Sequence, residues 1–170
     1  MTNLEFKPWP KITRVENRRT PVFTEKIDGT NACIIITEDG QFGCQSRNRL
    51  ITPEADNYGF ASWVWSHMEQ LISMGPGHHY GEWWGLGIGR GYDQKEKRFS
   101  LFNTQRWGEH NPNTPPCVSV VPRLPVNSVE EARQFLTENG SVAAPGFKKP
   151  EGAVMFDRDT ETYFKIIMDK

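Results

Sequence analysis

The residue best placed to act as a nucleophile is the lysine that stands two positions before Asp-Gly in Thr24-Glu25-Lys26-Ile27-Asp28-Gly29-Thr30-Asn31. A lysine amine attacks carbonyl carbon or phosphorus only after losing its proton, and a free lysine holds that proton up to a pKa of about 10.4. A neighbouring cation lowers that pKa. Two such cations are on offer. One is Lys165, a charged residue inside the otherwise apolar run that closes the chain. The other is Mg²⁺ held by carboxylates, for which Glu82 and Glu151 are the candidates. Glu82 lies between Gly81 and aromatic side chains, where an ionised acid is costly unless paired, hydrogen-bonded or metal-bound. Ser46-Arg47-Asn48-Arg49 adds fork-shaped donors suited to phosphate or ribose oxygens. Phe99 or Phe102 could face a ligand base. With metal and basic groups to stabilise charge as a phosphoanhydride breaks, this is the profile of nucleotidyl transfer through a lysine phosphoramidate. Each residue also has a plainer reading: a solvated hairpin turn at Lys26, a polar loop at Arg47, core packing for either phenylalanine and a turn glutamate at Glu151.

Other chemistries fit less well. No serine or cysteine sits in a recognisable nucleophile setting. The glycines at 85, 87, 89 and 91 do not match a P-loop, and no helix pattern follows them. Adjacent His78 and His79 cannot share one strand face, which argues against a metal pair.

The elements that must position these residues are legible in outline. Val22-Phe23 leads into the lysine stretch and Ile34-Ile35-Ile36 leads out, so Lys26 is predicted at a turn between two strands. A hairpin follows, with a strand over 32–37, a turn at Glu38-Asp39-Gly40 and a return strand over 41–45 that ends at Arg47. Phe60, Val64, Met68, Leu71 and Ile72 recur at helical spacing, which predicts a helix over 57–74, stopped by Gly75-Pro76-Gly77. Tyr80–Trp84 reads as a strand and the four glycines after it as a flexible loop. Alternation over 98–107 predicts a half-buried strand. Residues 108–127 carry five prolines and read as loop with a short strand near 117–121. Ser128 and Glu131 form a capping box for a helix over 129–138, ended by Gly140. Glu151-Gly152 opens a strand over 153–156, and the final strand contains Lys165.

Length and composition bound the answer. A chain of 170 residues suits one domain, and 36% hydrophobic with 24% charged residues suits a soluble globular protein. The net charge of −1 excludes a global basic field, so any nucleic-acid contact must use local positive charge. The basic residues of the extended lead-in, residues 1–20, are one such local source, with a solvated surface as the alternative. No run is long and apolar enough to span a membrane, and the first residues lack a signal-peptide core. Cys33, Cys44 and Cys117 are odd in number and contain no C-x-x-C pair, so neither a disulfide framework nor a zinc site is predicted. A cytoplasmic, reducing environment follows as the default, with Cys33 and Cys44 as small buried hydrophobes.

The order of these segments resembles the covalent nucleotidyltransferases (RNA ligases, DNA ligases and mRNA capping enzymes), and most closely the RNA ligase 2-like group. Glu25–Asn31 resembles motif I and Ser46–Arg49 motif Ia. Tyr80-Gly81-Glu82-Trp83-Trp84-Gly85 resembles motif III, and Phe99-Ser100-Leu101-Phe102-Asn103 motif IIIa. Pro150-Glu151-Gly152-Ala153-Val154 is similar to motif IV, and Phe164-Lys165-Ile166 to motif V. The resemblance implies an α+β nucleotidyltransferase fold, ATP-grasp-like, with antiparallel sheets and a few helices around a nucleotide cleft. It implies an ATP-dependent ligase with a Mg²⁺ or Mn²⁺ cofactor. Lys26 takes AMP from ATP, AMP passes to a 5′-phosphate end, and a 3′-hydroxyl displaces it. Its implied roles are Lys26 as nucleophile, Arg47 on the ribose or 5′-phosphate, Glu82 on the ribose or metal and Phe102 stacked on adenine, with Phe99 second. Glu151 would bind metal, Lys165 would bind the α-phosphate, and Asn31 with the main chain around Glu25 would help to place the nucleotide.

Three departures stand out. Ile167 replaces the second lysine of motif V, leaving pyrophosphate departure to Lys165 and metal, or to Lys170. Asn103 replaces the usual aspartate of motif IIIa. The chain closes just after motif V, which predicts one minimal domain over 1–170 without a C-terminal OB-fold or helical domain. Engagement of RNA, or of nicked DNA, with 5′-phosphate and 3′-hydroxyl ends would then depend on its own surface, an oligomer or an accessory protein. The short architecture associates with viral or mobile-element repair enzymes. A minimal DNA ligase, an adenylyltransferase with another acceptor and a non-catalytic nucleotide or nucleic-acid binding module are the alternatives.

Overall fold

The computed structural model describes residues 3–12 and 14–168. In chain order the strands and helices are β1 (Val22–Lys26), β2 (Thr30–Ile36), β3 (Phe42–Ser46), β4 (Leu50–Ile51), α1 (Phe60–Ser66), α2 (Met68–Leu71), β5 (Gly77–Gly85), β6 (Lys97–Leu101), β7 (Ser119–Val120), α3 (Val129–Asn139), β8 (Gly152–Asp157) and β9 (Thr162–Ile167). They form two sheets, a small one ordered β1-β8-β9 and a large one ordered β4-β3-β2-β5-β6-β7. All named pairings are antiparallel except β6 with β7.

Each sheet buries one face and leaves the other to a cleft. On the large sheet, Ala32, Ile34 and Ile36 of β2, Trp83 of β5 and Phe99 and Leu101 of β6 pack with Phe60, Val64 and Leu71 of the helices. On the small sheet, Phe23, Ala153 and Ile166 pack against Ala132 and Leu136 of α3. A third cluster, with Ile27, Trp84 and Tyr92, lies where the sheets meet. Alternation along each strand therefore sends every second side chain to the cleft.

The β2–β3 pair is the expected hairpin, with Ile34 opposite Cys44. The Lys26 stretch is not a hairpin. β1 pairs with β8, and β2 pairs with β3 and β5, so the chain changes sheets at Ile27–Gly29. Asp-Gly marks a corner, but Gly29 is small for a different reason than turn geometry. A Cβ there would collide with the Trp83 carbonyl and lie 2.8 Å from Trp84 Cβ.

The helix expected over 57–74 begins at Phe60 and breaks at His67, whose φ of −116° is not helical. The His67 ring sits 2.8 Å from the Trp63 carbonyl and so competes for a helical acceptor. The break rotates Met68 and Ile72 out to solvent, while Leu71 and Met74 stay buried. Half of the capping box at α3 forms as expected, with the Glu131 N–H donating to Ser128 Oγ; the Glu131 carboxylate instead accepts from the Asn127 N–H, one residue before the cap. Cys33 and Cys44 are buried, and desolvation pushes both thiols up to about 12. In the N-terminal lead-in, Arg18 and Arg19 pair with Asp157 and Asp159 at the β8–β9 turn. No helix among the described residues is long and apolar enough to cross a membrane.

Candidate active site

Lys26 ends β1 on the cleft face, opposite Gly152 at the start of β8. Its Nζ lies 3.1 Å from Glu151 Oε2, donating a hydrogen bond within an ion pair. Three cross-strand rows build the floor of the cleft, because directly opposed residues share a face. Lys26, Gly152 and Ile167 form the first, and Thr24, Val154 and Lys165 the second. Val22, Phe156 and Tyr163 form the third. The large sheet supplies the facing wall. Asn31 sits opposite Glu82, and Phe102 follows β6 with its N–H bonded to the Tyr80 carbonyl. The space between is about 780 Å³, and Glu25, Lys26, Asn31, Arg47, Glu82, Phe102 and Lys165 all line it.

Glu82 is 8% exposed. Burial pushes its carboxyl up to about 7, against the opposing pull of the Lys26 charge and the Gly29 N–H, while Glu151 and Asp28 add to the rise. The Gly29 N–H donates to Glu82 Oε2 at 2.9 Å, so the corner after Lys26 and the motif III acid are locked together. Among the described residues no group of three or more His, Cys, Asp or Glu could cage a metal. Glu82 lines the cleft, whereas Glu151 is not among the lining residues and reaches it through its pair with Lys26. Two such carboxylates still suit a hard divalent cation that completes its shell with water and substrate phosphate. Glu82 and Glu151 are the residues that fit that need.

A family model named RNA ligase matches residues 19–166. This chain belongs to the RNA ligase family. Among solved structures it is similar to the Naegleria gruberi RNA ligase. A variant with ATP and Mn superposes with a TM-score of 0.65 at 20% identity over 91% of this chain and 51% of that one. A variant with AMP and Mn gives 0.63 at 20% identity over 89% and 51%. The protein with PPi gives 0.61 at 20% identity over 89% and 50%. These likenesses show the fold, and this chain spans about half the length of those proteins. No curated protein matches it.

Within this RNA ligase fold the two arginines after β3 divide their work. Arg47 lines the cleft, whereas Arg49 donates to the carbonyls of Ala55 and Asp56 and anchors the following loop. Phe99 is in the core and Phe102 is 43% exposed at the cleft. Glu25 presents its main chain, and not its carboxylate, to the cleft. Alternation turns its carboxylate away from Lys26, where it is buried and accepts from Ser141 Oγ and the N–H groups of Val142 and Ala143. Its main chain remains beside the cleft. The Glu25 N–H donates to the Pro122 carbonyl, and Pro122 has no N–H to return, so that edge gives the Glu25 carbonyl no ladder donor. Ile167 stands in the Lys26 row with no charge to offer, and Lys170 lies outside the described residues.

Three functional neighbours were not visible in the sequence. The glycine loop after β5 is held against the corner: Gly89 has φ of +51° and abuts the Asp28 carboxylate, which accepts from the Arg90 N–H. Tyr92 is fully buried, and its hydroxyl accepts from both the Asp28 N–H and the Glu151 N–H at 3.1 Å. Arg123, from the proline-rich segment, lies opposite Thr24 and lines the cleft. A cation flanked by Pro122 and Leu124-Pro125 was the available signal for it.

Proposed function

We propose that this chain is an ATP-dependent RNA ligase that works through a covalent lysyl-AMP intermediate. The observation that carries the reading is Lys26 Nζ 3.1 Å from Glu151 in a cleft that Glu82, Phe102 and Lys165 also face. The two sheets would work as one nucleotidyltransferase unit around that cleft.

The first step needs Lys26 to leave its pair with Glu151 and shed a proton. Its nitrogen then bonds the α-phosphorus of ATP, and the bond from that phosphorus to the β-bridging oxygen breaks, releasing pyrophosphate. Lys165, one row away on the same face, would neutralise the α-phosphate. Phe102 from the wall and Val154 from the floor offer an aromatic plane and an aliphatic surface between which adenine can stack. Asn31 and Arg47 offer donors to the ribose or to a 5′-phosphate. Glu82 and Glu151 would hold Mg²⁺ or Mn²⁺, which supplies positive charge against the phosphates when bound. AMP then moves from lysine to a 5′-phosphate end of RNA, and a 3′-hydroxyl displaces AMP to seal the strand. Both later steps need cations that receive the incoming chain, and Arg47 and Arg106 line the cleft.

The test is incubation with α-labelled ATP or, separately, GTP, plus Mg²⁺, followed by a denaturing gel with Lys26→Ala as control. An acid-labile label from ATP that vanishes in the variant is expected. No label from either nucleotide in a folded protein overturns the reading and favours a non-catalytic nucleotide-binding module, for which Ile167 in the Lys26 row is the specific support. End joining on matched RNA and DNA nicks then separates an RNA ligase from a minimal DNA ligase, and label without joining points to another acceptor.

A further inference from the structure

Arg123 has no role in the reaction described so far, yet the register places it at a defined point of the cleft. The segment Pro122–Leu124 runs along the free edge of β1, with the Glu25 N–H donating to the Pro122 carbonyl and the Leu124 N–H to the Phe23 carbonyl. Thr24 and Arg123 are therefore a directly opposed pair outside those hydrogen bonds, the type of pair whose side chains lie closest. The second floor row thus reads Arg123, Thr24, Val154, Lys165. Its two ends are cationic and its middle is uncharged.

The two cations start from opposite ends of the floor. Neighbouring strands are about 4.8 Å apart, so the two ends of the row are separated by roughly 14 Å. Arg123 also leans across to the other sheet, where its Nε donates to Thr104 Oγ1 at 3.1 Å. Thr104 follows Phe102 by two residues. The Arg123–Thr104 bond therefore links the sheets beside the slot between Phe102 and Val154, on the side away from Lys165. A base stacked in that slot with its phosphates toward Lys26 and Lys165 presents its outer edge to Arg123.

We propose that Arg123 is a base-binding residue that donates a hydrogen bond to a ring nitrogen of the stacked purine; this rests on the nucleotide-transfer reading above. A guanidinium has five N–H donors and no acceptor, and the bond to Thr104 uses only the one on Nε. The terminal nitrogens remain for an acceptor such as purine N1 or N7. Pro122 and Pro125 restrict the segment, and Thr104 fixes the guanidinium, so the donor is preorganised.

The experiment measures binding of AMP, 1-deaza-AMP and 7-deaza-AMP by calorimetry, without metal, to the wild-type protein, Arg123→Met and Thr104→Val. Wild type is expected to bind one of the two analogues about tenfold more weakly than AMP, the size of one charge-assisted hydrogen bond. Arg123→Met is expected to bind AMP about tenfold more weakly and to lose nothing further with that same analogue. Thr104→Val should fall between the two. Equal losses for AMP and both analogues in Arg123→Met, or no loss at all, overturn the proposal. Absence of AMP binding in wild type defeats both readings. AMP binding with the expected coupling, but no lysyl adduct from ATP, defeats the ligase reading alone.

Discussion

Lys26 Nζ and Glu151 Oε2 are held 3.1 Å apart across two neighbouring strands, with the amine donating and the carboxylate accepting. Both side chains are partly exposed, so the pair contributes little to folding, about 1 kcal/mol at most. Its weight falls on the chemistry. Glu151→Gln keeps the shape and one acceptor but removes the charge. The variant should unfold at nearly the wild-type midpoint in denaturant, while Mg²⁺-dependent labelling from ATP falls about 100-fold. Parallel denaturation and labelling curves check both halves.

Glu82 makes stability depend on pH. Burial lifts its carboxyl from 4.5 to about 7 in the folded protein. Between those values the folded state holds a proton that the unfolded chain has released. Stability contributed by this group is therefore complete below pH 4.5 and is lost as pH rises through about 7. Chelator-treated protein should lose denaturation free energy over that window, and Glu82→Gln should flatten the slope. An unchanged slope in the variant would contradict the burial argument.

Tyr92→Phe removes one oxygen and leaves two backbone donors, at Asp28 and Glu151, without an acceptor. The cost should be about 2 kcal/mol, read as a shift of the urea midpoint. The hydroxyl also ties the corner after Lys26 to the residue that pairs with Lys26. Labelling should accordingly drop in rate with little change in the apparent affinity for ATP. Equal loss of rate and affinity would mean that the tyrosine acts on the fold alone.

Gly29→Ala tests the corner. The new methyl group would meet the Trp83 carbonyl and Trp84 Cβ, both part of a buried strand. Destabilisation of about 3 kcal/mol is expected, the upper part of the overpacking range. Thermal or chemical unfolding measures it directly.

Much of this was legible in local sequence, and the limits have physical causes. The strand around Glu82 and the Ser128 cap of α3 depend on neighbours a few residues away, and they appear where expected. The half-buried strand expected over 98–107 is shorter, ending at Leu101 with its last three residues all buried. Phe99 and Phe102 differ by three positions, so alternation puts them on opposite faces, but only the packing of Phe60 and Trp83 shows which face is core. The Asp-Gly corner announced a turn without naming the partners of the strands on either side, because register is not a local property. His67 broke a helical stripe through a side-chain contact that periodicity does not weigh. The glycine loop looked flexible because glycine permits many conformations. Contact with Asp28 selects one.

The change of sheet at Ile27–Gly29 also has a consequence for how the molecule is made. β1 holds the lysine early in the chain, yet its partner β8, and β9 beyond that, are among the last described residues. The large sheet draws on nearer strands: β2 with β3 and β5 with β6 are neighbours in sequence, and β2 with β5 spans less chain than β1 with β8. The small sheet must wait, because distant pairing carries a loop-closure cost that local contacts do not. On the ribosome, a chain cut short before β8 would have a stacking aromatic and a buried acid but no floor beneath its lysine. Competence for nucleotide would then arrive late and all at once, with the docking of the final two strands.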